Sequence, residues 1–259
     1  MSESRVTAGF VAARRERRAA LIPYLTAGFP SAAATGEALA MVADAGADVI
    51  ELGVPFSDPL ADGPIIQRAS EVALRGGMSL AGVLRMLEET PVRRPVVLFS
   101  YLNPLLAYGI EAFARDARRA GAAGVLITDL PSGEDPAVGA VLRGADLDLI
   151  TLVAPTTGAD RARRLVADAS GFVYLIARLG VTGARTDVTG AETVVRRMRQ
   201  LTTLPLAVGF GIRSVDQVRA VARIADGVVI GSALVERLAD GVEPAQRFLE
   251  EMRGGLGPF

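Results

Sequence analysis

The chain has 259 residues, half of them hydrophobic, with 28 basic against 29 acidic side chains and a net charge of −1. That length can bury a substantial core, and the balanced charge gives no footprint for nucleic acid or an anionic membrane surface. Cys, His, Trp and Lys are all absent. Disulfides, thiolate nucleophiles, His-bound catalytic metals, serine triads and Schiff bases are thereby excluded. Proton transfer is left to Asp, Glu, Tyr and hydroxyls, and anion binding to Arg and backbone N–H groups.

The first twenty residues are polar and basic, with Arg14, Arg15, Arg17 and Arg18 around Glu16, and lack the apolar stretch of a secretion signal. Residues 6–18 read as a helix placed before the first strand, where it would plug the bottom of a barrel. Eight short apolar runs follow, at 20–27, 48–54, 95–101, 124–130, 148–154, 172–178, 204–211 and 227–234. They are near-continuously hydrophobic, as strands buried on both faces are. Helix-period stretches lie between them, at 35–45, 79–89, 110–120, 160–169, 192–200 and 215–223. Eight strands alternating with helices predict an α/β fold, a single (β/α)8 TIM barrel over residues 1–259 with an extra N-terminal helix. The rival, an open doubly wound sheet, usually needs fewer strands. The longest apolar runs are too short to span a bilayer, so a cytoplasmic protein with no membrane partner is expected.

In such a barrel, chemistry sits at the C-terminal ends of the strands. The second strand carries Glu51 and runs into a loop with three prolines, Asp58 and Asp62. A carboxylate inside an apolar strand is costly unless it is hydrogen-bonded or used. The plain alternative is a satisfied core Glu, with the two aspartates capping turns. Asp129 ends the fourth strand in the same layer of the barrel mouth, a candidate for the substrate pocket and lid, with a helix N-cap as the competing reading. The sixth strand puts Tyr174 in the barrel and Thr182 in the following loop. Two glycine-rich ends, Gly209-Phe-Gly211 and Gly231-Ser232, follow the seventh and eighth strands, the usual place for a phosphate cradle. Glycine lets the backbone approach an anion, and plain turn chemistry is the alternative.

The seventeen residues Glu51-Leu-Gly-Val-Pro-Phe-Ser-Asp-Pro-Leu-Ala-Asp-Gly-Pro-Ile-Ile-Gln67 resemble the signature of the tryptophan synthase α subunit family. Pro23-Tyr-Leu-Thr-Ala-Gly-Phe-Pro30, Tyr101-Leu-Asn-Pro, Asp129-Leu-Pro, Gly180-Val-Thr-Gly183, Gly209-Phe-Gly211 and Gly231-Ser232 follow in family order. The resemblance implies a lyase that cleaves indole-3-glycerol phosphate to indole and glyceraldehyde 3-phosphate. It also implies a tryptophan synthase β subunit as partner in an α2β2 assembly. That subunit would use pyridoxal phosphate, with no cofactor or metal in this chain.

By the same resemblance, Glu51 carries the proton to and from the reacting atoms, Asp62 meets the indole N–H, and Tyr174 is the active-site tyrosine. Thr182 is the lid residue that meets Asp62 on closure, and phosphate is held by Gly183, Gly211, Gly231 and Ser232. Tyr24, Tyr101, Leu126 and Phe210 are candidates for the indole pocket, although barrel packing would explain them equally. Ala177 before Arg178, and Asp129-Leu-Pro-Ser132 in place of a double proline, depart from the family pattern near the barrel mouth. Three alternatives stay open: a stand-alone lyase releasing free indole, a non-catalytic allosteric binding subunit and, weakest, a phosphate-sugar isomerase.

Overall fold

A computed structural model describes residues 4–130, 136–176, 180–182, 185–209 and 211–257. Helix α1 (Arg5–Arg15) precedes β1 (Ala20–Thr26), α2 (Ala32–Asp44) and β2 (Ile50–Gly53). Then come α3 (Pro64–Arg75), α4 (Leu80–Glu89), β3 (Val96–Ser100), α5 (Leu102–Tyr108), α6 (Ile110–Arg119) and β4 (Ala122–Ile127). The middle of the chain adds α7 (Pro136–Gly144), β5 (Asp148–Val153), α8 (Ala159–Ala167) and β6 (Val173–Ile176). After β6 a short antiparallel pair, β7 (Gly180–Thr182) and β8 (Arg185–Asp187), leads to α9 (Thr189–Arg199). The chain closes with β9 (Leu206–Gly209), α10 (Val215–Ala222), β10 (Gly227–Ile230), α11 (Ser232–Leu238) and α12 (Val242–Arg253).

Eight of these strands form a closed barrel in the order β1-β10-β9-β6-β5-β4-β3-β2, and every neighbouring pair is parallel. The predicted (β/α)8 barrel is therefore the fold. Its strands read as unbroken apolar runs because one set of side chains faces the interior and the alternate set faces the helices. The interior cluster includes Ile22, Val49, Val97, Leu126, Ile150, Phe172 and Val229. Among the described residues no helix is long and apolar enough to cross a membrane.

Helix α1 closes the N-terminal end of the barrel, as its position in the sequence implies. Val6, Phe10 and Ala13 are buried in that same interior cluster, and the Phe10 and Phe172 rings pack with centroids 5.3 Å apart. Just beyond the helix, the Arg18 guanidinium grips both oxygens of buried Asp48, at 2.5 and 2.9 Å. Asp48 also accepts the Leu21 N–H at 2.8 Å. The plug is thus tied to the start of β1 and the entrance to β2.

Element boundaries differ from the sequence reading for local reasons. The second strand starts at Ile50 rather than residue 48, and the Asp48 carboxylate is occupied by Arg18 and Leu21. The fourth begins two residues earlier than expected, at Ala122. The eighth stops at Ile230 instead of reaching 234, because the chain turns at Gly231 (φ −105°, ψ −98°) and Ser232 opens α11. Helices α3, α5, α7, α11 and α12 add to the seven expected stretches.

Candidate active site

The barrel mouth holds a cavity of about 320 Å³ whose wall includes Tyr24, Glu51, Asp62, Phe99, Leu152 and Tyr174. Strand register explains the gathering. Tyr24 on β1 stands opposite Glu51 on β2, Gly53 opposite Phe99 on β3, and Leu152 on β5 opposite Tyr174 on β6. Parallel strands of one barrel thus bring residues that are distant in sequence to one level.

Glu51 is 1% exposed, and its Oε1 has no hydrogen-bond partner among the described residues. Burial without compensation disfavours the charged form and pushes its pKa up to about 8. Among the described residues nothing satisfies Glu51 Oε1, which speaks against the satisfied core glutamate that the sequence left open. Asp62 sits in the loop before α3, half-buried. Burial raises its pKa to about 6, against the opposing pull of the Tyr101 hydroxyl. It does not cap α3, whose N-cap is Gly63 with no side-chain hydrogen bond. Between about pH 6 and 8 the two carboxyls accordingly differ in state, Glu51 protonated and Asp62 ionised.

Two glycines make room for the two wall tyrosines. A Cβ at Gly53 would lie 2.0 Å from the Tyr24 hydroxyl oxygen, and one at Gly209 would lie 2.3 Å from that of Tyr174. Each phenol therefore leans over the neighbouring strand where the side chain is missing. Burial, reinforced by the nearby carboxylates, raises the pKa of both phenols well above its ordinary value, so they remain protonated donors.

On another part of the wall, Gly211 (φ +75°) follows β9, while Gly231 and Ser232 open α11, whose first turn carries no side-chain cap. Arg213 lines the cavity here and is ion-paired with Glu236 of α11. The glycine-rich ends that the sequence singled out do meet, with an arginine beside them.

Three candidates lie off the cavity wall. Leu126 is fully buried in the barrel interior. Exposed Asp129 turns to α5, its Oδ1 accepting the Leu102 N–H at 2.6 Å, a cap on a neighbouring helix rather than on the one that follows it. Tyr101, 5% exposed, stands behind the Asp62 loop and accepts the Ala61 N–H at 3.0 Å. Thr182 lies in β7, and Gly183 and Phe210 lie outside the described residues.

Lining residues not singled out from the sequence include Phe99, Thr128, Leu152, Ile176, Arg213 and Val229. Period-two alternation would have found some of them, since Ile176 is two residues beyond Tyr174 and shares its face.

The family model described as tryptophan synthase alpha chain matches residues 10–254. The tryptophan synthase alpha chain of Methylibium petroleiphilum is 49% identical over 237 residues, covering 90% of this chain and 87% of the relative. That of a Polaromonas species is 45% identical over 270 residues, covering 98% and 99%. Among solved structures, tryptophan synthase from M. tuberculosis in its aminoacrylate-bound form superposes with a TM-score of 0.89 at 37% identity, over 98% of this chain and 100% of the other. Tryptophan synthase subunit alpha from Legionella pneumophila gives 0.90 at 34% identity, over 98% of both chains. With the barrel, the buried Glu51 and the match along nearly the whole chain in agreement, this protein belongs to the tryptophan synthase alpha chain family.

Proposed function

We propose that the chain is a lyase that cleaves indole-3-glycerol phosphate to indole and glyceraldehyde 3-phosphate, with residues 1–259 acting as one cytoplasmic catalytic domain. The observation that carries the reading is the placing of two carboxyls on one cavity wall at the barrel mouth, Glu51 buried and Asp62 half-buried.

The C–C bond cleaves once indole C3 is protonated. Protonated Glu51 gives its proton to C3, forming a 3H-indolium whose N–H faces the Asp62 carboxylate. The Glu51 carboxylate then takes the proton of the hydroxyl on the carbon attached to C3. That carbon becomes the aldehyde, the C3–C bond breaks, and its electron pair restores the indole ring. One proton enters and one leaves, so Glu51 ends as it began. Positioned acid–base groups of this kind contribute about 10²–10⁴-fold each.

The apolar wall of Tyr24, Phe99, Leu152 and Tyr174 suits an indole ring. The phosphate is assigned to the backbone amides of Gly211 and Gly231 and to Ser232, together with Gly183. Thr182 is assigned to the lid.

A tryptophan synthase β subunit is the proposed partner, in an α2β2 assembly that carries pyridoxal phosphate only on the β side. Leu60, in the loop that bears Asp62, is 93% exposed and offers apolar surface for such a partner.

The test is indole release from indole-3-glycerol phosphate by the purified chain, alone and with a β subunit added. Slow release that rises steeply with the partner is expected. Absence of indole under both conditions overturns the reaction, and fast release unmoved by the partner replaces the assembly with a stand-alone lyase.

A further inference from the structure

We propose that Tyr101 is a positioning residue that fixes the loop bearing Asp62, acting from behind the cavity wall through the hydrogen bond from Ala61 to its hydroxyl. The proposal rests on the acid–base role given to Asp62 above. The loop between β2 and α3 is held by its own bonds, Leu60 N–H to Asp58 O at 2.9 Å and Asp62 N–H to Pro59 O at 3.0 Å, and by Gln67 of α3, whose Nε2 donates to Asp62 O at 2.9 Å and Pro59 O at 3.4 Å. Such local bonds shape a loop without placing it on the barrel. Past Val54, whose N–H still donates to Phe99 O of β3 at 2.8 Å, Tyr101 ties the loop to the barrel at two points. Its ring packs on Phe56 with centroids 5.1 Å apart, and its hydroxyl accepts the Ala61 N–H at 3.0 Å, one residue before Asp62.

Tyr101 is itself anchored. It follows β3 and forms the N-cap of α5, where the next N–H, that of Leu102, is taken by Asp129 at 2.6 Å. Ser100 Oγ donates to the Tyr101 carbonyl at 3.0 Å. A phenol oxygen that accepts from Ala61 keeps its own proton for the adjacent Asp62. Burial and the Asp62 charge keep that phenol protonated, and the hydroxyl in turn lowers the pKa of Asp62 against the effect of burial. One side chain thereby sets both the place and the ionisation of the carboxylate. This also accounts for a tyrosine at the barrel mouth that is nearly buried yet absent from the cavity wall.

The test is Tyr101→Phe, which keeps the ring on Phe56 and removes only the hydroxyl. Indole-3-glycerol phosphate cleavage is compared for wild type, Tyr101→Phe, Asp62→Asn and the double variant. The expected result is a kcat lower by about tenfold to a hundredfold, the range for a slightly misplaced group. KM should stay within about twofold, since the hydroxyl does not line the site. The acidic limb of the rate profile should move above its wild-type position near pH 6, because the group lowering the Asp62 pKa is gone. In the Asp62→Asn background the second change should add nothing.

An unchanged kcat, a rise in KM alone, or an equal loss in the Asp62→Asn background overturns the positioning role. A wild-type chain that releases no indole overturns the reaction instead. The Tyr101 assignment is then decided by carboxyl NMR titration of Asp62, whose midpoint must rise in Tyr101→Phe.

Discussion

Replacing Glu51 by Gln should make the folded chain more stable while removing its proposed catalytic acid. Burial raises the Glu51 pKa from 4.5 to about 8. Below about 4.5 the folded and unfolded chains both hold this proton, and above about 8 neither does. In between, the folded chain keeps a proton that the unfolded chain has released, so stability falls by about 1.4 kcal/mol for each unit of rising pH. Over the whole interval the loss reaches about 5 kcal/mol, and at pH 7 it is about 3 kcal/mol. Glutamine is neutral throughout and nearly the same size, so it escapes this loss. Urea unfolding of the two proteins at pH 5, 7 and 8.5 reads the difference directly. The Gln variant should match wild type near pH 5 and gain steadily up to pH 8.5, with indole-3-glycerol phosphate cleavage lower by two orders of magnitude or more. A gap that does not change with pH, or a Gln variant less stable at pH 8.5, would refute an uncompensated buried Glu51.

The plot of kcat/KM against pH should be bell-shaped, rising near 6 as Asp62 ionises and falling near 8 as Glu51 loses its proton, and Asp62→Asn should remove the acidic limb. Gly209→Ala should push the Tyr174 phenol into the cavity, costing about 1–3 kcal/mol of stability and most of the activity, since its methyl would fall 2.3 Å from that oxygen. A crystal structure with Tyr174 unmoved would count against this. Asp48→Ala should cost about 1–3 kcal/mol in urea unfolding, because it strips the buried Leu21 N–H of its acceptor and leaves Arg18 with Glu16 and the Ala19 carbonyl alone. Phe10→Ala should cost about 3–5 kcal/mol in the same assay, because its ring fills the barrel bottom against Phe172.

The barrel was legible because its signal is long-range and repeated. Eight apolar runs at regular spacing survive an error of two or three residues at any one boundary. Boundaries were poorly legible where a single side chain or turn decides them, as at Asp48 and Gly231. The carboxylates were legible because a charge in an apolar strand, or beside prolines in the loop after it, contradicts its surroundings in the sequence itself. Tyr101, Leu126 and Asp129 were harder. Their sequence neighbours say only that they lie near a strand's C-terminal end, and whether they face the cavity depends on barrel tilt and on the loops packed over them. Asp129 shows this well, since a carboxylate after a strand suggests a cap on the following helix and the fold gives it to α5 instead. Arg213 stands within the glycine-rich end after β9, yet nothing in the sequence says which of 28 arginines would join a phosphate cradle, and only the approach of β9 to α11 brings it to the cavity.

A chain without His, Cys or Lys has no side chain that ordinarily titrates near neutral pH. Burial provides one here. Glu51 is moved upward by the barrel interior alone, whereas Asp62, nearer the surface and beside a hydroxyl, moves less. The same depth that separates their ionisation also leaves Glu51 Oε1 without a hydrogen-bond partner among the described residues. Under the proposed mechanism an oxygen unbound to the protein has a use, because an acid already bonded there would have to break that bond before reaching indole C3. Stability and the proposed chemistry therefore pull in opposite directions at this one position. The rest of the barrel, with its apolar interior and its N-terminal plug, holds the fold while Glu51 stays uncompensated.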